Sequence, residues 1–283
     1  MKGAGVRFTA AAPALPALRP AVQAARVVRH SAAIAFADMR AVYTWKVWIF
    51  GWLGRMLAQV TFFTLLARTT GSEEHTAYIA VGNSVMTCAL ECMSVVASTT
   101  WERLSGTLVL LCAVPARPVW VFFGRSLQWP ISGSGTSLIA LLFLAPLFGV
   151  SWHPGQVPAL VVLVPLTALT TYCFGLFLAA FVLNANGVRN IVSNVAYLLM
   201  MILCGVNIPV SQWPPAVQAV ADILPLTHSL HAIRLVSDGA GASRVLGAAG
   251  LALLCGAGWL LGAYVAFNRF MARARGLGSA DLF

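Results

Sequence analysis

Six apolar segments, each about as long as a bilayer is thick, dominate this chain: residues 45–67, 76–97, 119–150, 157–183, 190–210 and 245–267. A hydrocarbon core about 30 Å thick needs about 20 helical residues to cross it. Inside that core the backbone must satisfy its own donors and acceptors, which a helix does within one segment. Composition agrees: 59% of residues are hydrophobic and 9% charged, against about 25% charged in a soluble domain. The 283 residues therefore read as one all-α integral membrane domain with six transmembrane helices, not as two soluble domains. The formal charge of +10 has no long soluble basic face to hold nucleic acid. Its expected anionic partner is membrane lipid of the cytoplasmic leaflet.

The third segment has 32 residues, about 48 Å of helix, too long for one straight crossing. Pro130 and the run Ser132-Gly133-Ser134-Gly135 lie inside it, so a kink or interfacial first turns are expected. Orientation follows from the basic residues. With a cytoplasmic N-terminus, twelve of the 18 Lys and Arg residues fall inside and three outside (Arg68, Arg234, Arg244). Lys46, Arg55 and Arg125 fall within the spans. Both ends are thus expected in the cytoplasm of a cell (plasma) membrane protein. Residues 1–44 read as a cytoplasmic tail with an interfacial helix from about Ala21 to Val42, where arginines alternate with apolar residues. Residues 45–267 form the six-span domain, and 268–283 a second cytoplasmic tail.

All six cysteines except Cys112 fall in apolar runs, which argues against a disulfide framework. Cys88 and Cys92 share a helix face and read as small packing residues rather than a metal pair.

The stretch "WERLSGTLVLLCAVPARP", Trp101 to Pro118, is too short to cross and lies in the first cytoplasmic loop. Wound as a helix, it gathers Trp101, Leu104, Leu108, Leu111 and Cys112 on one face, with Glu102, Arg103 and Gly106 opposite. Periodicity alone allows an interfacial connecting helix. Val109 and Leu110, however, project beside Gly106 toward the polar side, where another protein could cover them. That makes a docking knob tied to the second and third spans.

These residues carry a family resemblance. The stretch resembles the corresponding loop in permeases of type-2 ATP-binding cassette (ABC) exporters, the drug- and polysaccharide-export group. Glu102-Arg103, Gly106-Thr107-Leu108 and Pro115 match that pattern, and Val109 stands where the family commonly has a second acidic residue. "ILPLTHSLHAIRL", Ile223 to Leu235, is similar to the family segment before the last span, and the polar-basic start of the first span from Met39-Arg40 is similar too. The resemblance implies a membrane-spanning permease subunit of an ATP-driven exporter. Its solute would be hydrophobic or amphipathic, of the drug, lipid or glycan class. It also implies a cytoplasmic coupling helix in which Glu102, Arg103, Gly106, Thr107, Val109 and Leu110 meet a separate ATP-binding subunit. A second permease subunit, identical or paralogous, would complete the pathway.

A phosphate-cradling loop has the form G-x-x-x-x-G-K-[ST]. The only lysines are Lys2 and Lys46, and neither follows a glycine. The chain is therefore expected to be a transport subunit and not itself an enzyme, binding no cofactor, with ATP and Mg held by the partner ATPase.

Three ionisable residues lie inside spans: Arg55, Glu91 and Arg125. Each costs about 2.5–3.5 kcal/mol at the centre of an inserted helix. Glu91 is expected to pair with Arg125, at similar depth, with Arg55 as second choice; the alternative has the arginines snorkelling separately. Asn83, Thr87, Glu91, Asn194, Tyr197 and Asn207 place polar groups on the second and fifth spans. They serve either helix–helix hydrogen bonding or, as the resemblance implies, the lining of a substrate path.

Residues 211–244 are semi-polar and marked by proline. Pro214-Pro215 starts a short helix, Pro225 breaks it, and Thr227 to Val236 forms another. This reads as an external re-entrant helical hairpin, whose backbone must be covered by protein or line a wet cavity. Pro225, Thr227, His228 and Arg234 are its marked residues, and the resemblance implies that it helps close the external mouth. His228 and His231 are three apart, but no further histidines cluster with them, so a membrane metal enzyme is the weaker reading. An ion-coupled secondary transporter or channel is the main alternative, although such folds favour internal repeats and midplane carboxylates.

Overall fold

The computed structural model describes residues 20–42, 44–69, 71–104, 118–183 and 188–276. They are helical nearly throughout, with no strand among the described residues. The helices are α1 (Pro20–Val42), α2 (Gly54–Arg68), α3 (Glu73–Leu104), α4 (Pro118–Arg125), α5 (Gln128–Ile139), α6 (Val157–Val182), α7 (Arg189–Leu203), α8 (Pro215–Ile223), α9 (Pro225–Ser237) and α10 (Ala242–Gly276). A π-helical segment, Val47–Leu53, leads into α2, and α5 continues through a π segment (Ala140–Leu144) and a 3-10 turn (Ala145–Phe148).

Among the described residues, five helical stretches are long and apolar enough to cross a membrane: Val47–Arg68, Glu73–Thr99, Val119–Phe148, Val157–Val182 and Ala242–Phe270. The expected fifth crossing at 190–210 is shorter than its apolar run. Its helix ends at Leu203 after 15 residues, about 22 Å by the helical rise and short of the hydrocarbon core. The cause is local. Gly205 takes φ 78°, a left-handed conformation that ends the helix.

The centre of the bundle is α3. Its apolar window is 89% buried, whereas that of the first spanning stretch is 17% buried, so α2 is peripheral and keeps an open face. Helix α3 packs against α2, α5, α6 and α7, while α10 covers α6 and α9. It starts cleanly: Ser72 Oγ accepts the His75 N–H at 3.2 Å, and Glu73 and Glu74 sit in the first turn, where negative charge meets the positive end of the helix dipole.

Breaks within the bundle are each supplied with partners, as a low-dielectric interior requires. The third stretch is interrupted at Ser126–Leu127, between α4 and α5, four residues before Pro130, whose ring removes the i→i−4 hydrogen bond to Ser126 O. Buried Tyr172 from α6 braces that bend: its hydroxyl donates to Phe123 O at 2.7 Å and lies 2.7 Å from Ser126 Oγ. Between α8 and α9 the break falls at Leu224, as the proline pattern predicts. Thr227 Oγ1 donates to Ala221 O at 2.5 Å. Cys255 Sγ and Trp259 Nε1 of α10 donate to Ile223 O at 3.0 and 2.8 Å.

Candidate functional site

The expected docking knob begins on described chain only at its start: Trp101–Leu104 form the last turn of α3. Gly106, Thr107, Val109 and Leu110 lie outside the described residues, and so do the side chains of Glu102 and Arg103. The two polar sites that can be built from described residues lie along α3.

One is a face shared by α2, α3, α5 and α7. At the entry to α2, Trp48 Nε1 donates to Ser132 Oγ of α5 at 3.2 Å, and the ring of Trp52 lies 5.8 Å from that of Trp129. Glu91 of α3 is completely buried behind them. Ser132, Thr136 and Trp52 lie against its carboxyl, and the charge of Arg55 acts on it from farther off. Neither Glu91 oxygen nor Trp52 Nε1 is in a well-formed hydrogen bond: donors surround the carboxyl without being aligned on it. Arg55 itself is exposed, with its guanidinium 5.2 Å from the centre of the Trp52 ring. One turn on, Gln59 Nε2 donates to Tyr197 Oη of α7. Asn194, one turn earlier on α7, is exposed beside Val195, Leu198 and Leu199.

This arrangement corrects the expected ion pair. Arg125 reaches Asp38 of α1, with Nη2 3.3 Å from Oδ2, and not Glu91. The reason is that α1 packs along α4 and brings its own carboxylate to the start of the third stretch. The residues that surround Glu91 come from α5 and from the π segment that leads into α2, with Arg55 of α2 as the cation that influences it.

The second site is a clamp at the opposite end of α3. Asn83 Nδ2 donates to Asn207 Oδ1 at 2.8 Å and to Ile79 O at 3.1 Å. Tyr78 Oη donates to Gly205 O at 2.9 Å. Arg234 of α9 lies over the Tyr78 ring, 3.3 Å from its centroid. Its Nη2 donates to Val206 O at 3.3 Å and to Tyr78 O at 3.4 Å. Burial lowers the Arg234 guanidinium to about 10, opposed by Tyr78 and Asp238, so it remains a cation at neutral pH. Gly82 makes the clamp possible: a Cβ there would stand 2.2 Å from Val206 O. His228 Nε2 is 2.8 Å from Asp222 O, a backbone contact that fixes α9 to α8. Pro225 occupies the first turn of α9.

The six pathway candidates therefore divide. Asn83 and Asn207 join the clamp, and Thr87 turns its hydroxyl to Ser84 O of its own helix at 2.7 Å. Glu91, Tyr197 and Asn194 belong to the α2–α7 face. Sequence reasoning missed Gln59, Trp52 and Tyr78. Gln59 had a readable signal, being an amide in an otherwise apolar run.

A shallow cavity of about 250 Å³ adjoins the clamp, lined by Ser72, Glu74, His75, Tyr78, Asn207 and Gln212 among others. A larger one of about 380 Å³ lies between Arg68, Glu73, Thr76 and Phe148.

Helices long enough to span, breaks satisfied by protein partners and polar groups kept on chosen faces define a multi-pass helical membrane protein. A sequence model of the ABC-2 type transporter family matches residues 36–236, from within α1 to the end of α9, and the chain belongs to that family. Comparison with curated proteins gives no match. The chain is accordingly the membrane domain of an ABC transporter, a permease that serves as a transport subunit.

Proposed function

We propose that this permease belongs to an ATP-driven exporter that moves a hydrophobic or amphipathic solute out of the cytoplasm. Six crossings are proposed, with α7 and the turn that follows it completing the fifth, and with both termini cytoplasmic. A separate ATP-binding subunit docks around Glu102–Leu110, and a second permease subunit faces the open side of α2 and α7. The hairpin α8–α9 then lies at the external mouth, held by the Arg234–Tyr78 clamp.

The observation that carries this reading is the α2–α7 face. Two peripheral helices bridged by Gln59 and Tyr197, with Arg55 and Asn194 exposed beside them, suit a polar strip within the membrane that meets water or solute. Lipid alone is a poor neighbour for it, because a guanidinium at such depth costs about 2.5–3.5 kcal/mol. Family membership supports the partner. This sequence has no phosphate-cradling loop of its own, so ATP would act through another chain.

The test is transport in proteoliposomes holding this chain with its ATPase. Efflux of an amphipathic dye that requires ATP, and persists when the proton gradient is collapsed, supports the reading. Efflux driven by the gradient without ATP refutes it in favour of an ion-coupled carrier.

A further inference from the structure

Charge bookkeeping inside the membrane points to the chemistry of the solute. Arg55 lies eight residues from Val47 and thirteen from Arg68, the ends of its spanning stretch, so its backbone lies inside the apolar run and not at either end. The side chain is exposed, and among the described residues no carboxylate stands within 4.0 Å of it; the ion pair found there joins Arg125 and Asp38. Its aromatic support, Trp52, holds the guanidinium from one side only.

A second copy of the chain could not supply the missing anion. The sequence has eight acidic residues: Asp38, Glu73, Glu74, Glu91, Glu102, Asp222, Asp238 and Asp281. Glu91 alone lies well inside a spanning stretch, and it is fully buried behind α2 and α5. The others sit in α1, at helix ends, or in the C-terminal tail. A direct ion partner for Arg55 is therefore sought among molecules that reach this membrane-level face.

We propose that the α2–α7 face binds the anionic head of an amphipathic solute, a carboxylate or phosphate attached to an apolar tail, with Arg55 as the receiving cation. Gln59, Tyr197 and Asn194 supply hydrogen bonds around the head. The exposed Val195, Leu198 and Leu199 of α7 offer apolar surface for the tail. This inference rests on the proposed transport reading for its biological sense, but its test needs no transport.

The experiment measures binding of radiolabelled oleate and of oleyl alcohol, its uncharged counterpart, to the full-length chain in nanodiscs of phosphatidylcholine. The unmodified chain is expected to hold oleate at least about tenfold more tightly than the alcohol. Arg55→Gln is expected to bring the ratio to near one without loss of thermal stability, since it removes an uncompensated charge. Arg55→Lys should retain most of the preference. A preference that survives in Arg55→Gln traces to surface arginines and overturns the proposal. Equal binding of oleate and oleyl alcohol by the unmodified chain also overturns it. Phosphatidylglycerol in the disc that displaces oleate identifies a lipid headgroup as the guest and overturns the assignment to a free solute. Failure of any of these arms leaves ATP-driven efflux intact, whereas loss of efflux with preserved oleate preference would indict the transport reading alone.

Discussion

Gly82→Ala is the sharpest test of the packing. Alanine is the better helix former by about 1 kcal/mol, so at an open helical site the change should stabilise. At residue 82 the added Cβ would lie 2.2 Å from Val206 O and 3.0 Å from Arg234 Nη2, where ordinary contact begins at 3.4 Å. The Val206 backbone would have to retreat by more than an ångström. It is held in place by the Tyr78 bond to Gly205 O and by Arg234 itself. Overpacking of this kind costs about 1–3 kcal/mol, and a displaced hydrogen bond to a charged donor about 1.5–3 kcal/mol. After the gain in propensity, the net loss is about 1.5–5 kcal/mol. Each kcal/mol moves the melting temperature of a chain this size by about 2–4 °C, so a fall of about 3 °C or more is expected in detergent by intrinsic fluorescence. Gly250→Ala is the control, since nothing lies within 4 Å of a Cβ there, and it should hold or raise the melting temperature. If both variants rise together, α3 does not approach the 204–207 turn as closely as described.

Three further outcomes follow from the geometry. Tyr172→Phe removes the hydroxyl that braces the Ser126–Leu127 bend and should cost about 1–3 kcal/mol, read as a lower melting temperature. Asp38→Asn breaks an ion pair whose partners are 28% and 61% exposed, so it should cost under about 1 kcal/mol and show in a double-mutant cycle with Arg125→Gln. Under the proposed docking of the ATPase, Glu102→Ala combined with Arg103→Ala should abolish co-purification with it; retained co-purification would remove these residues from the docking site.

What the sequence made legible was whatever depends on runs of apolar residues or on proline. The stretches from Val47, Glu73, Val119, Val157 and Ala242 announce themselves by length, and Pro214, Pro215 and Pro225 mark the α8–α9 hairpin because a proline cannot continue a helix. The end of α7 was not legible. Cys204-Gly205-Val206 looks like more span, and it turns because Gly205 takes a left-handed conformation, a turn that the Tyr78 bond to Gly205 O then holds. The Arg125 partner was missed for a tertiary reason. Depth arguments consider charges inside the spans, while Asp38 arrives on an amphipathic helix that packs from outside them. Glu91 was correctly marked as unusual from its place in an apolar run, but its neighbours Trp52, Ser132 and Thr136 come from two other helices and could not be ordered by sequence distance.

The central claim is that the α2–α7 face meets water or solute and not lipid. In a cysteine-free background with the ATPase present, Asn194→Cys and Phe143→Cys would be exposed to a membrane-impermeant thiol reagent in inside-out vesicles. Phe143 is 72% exposed on the π segment after α5 and serves as the lipid-facing reference. The account predicts that Asn194→Cys reacts and that nucleotide changes its rate, while Phe143→Cys stays inert. An Asn194→Cys as unreactive as Phe143→Cys, with and without ATP, would contradict it.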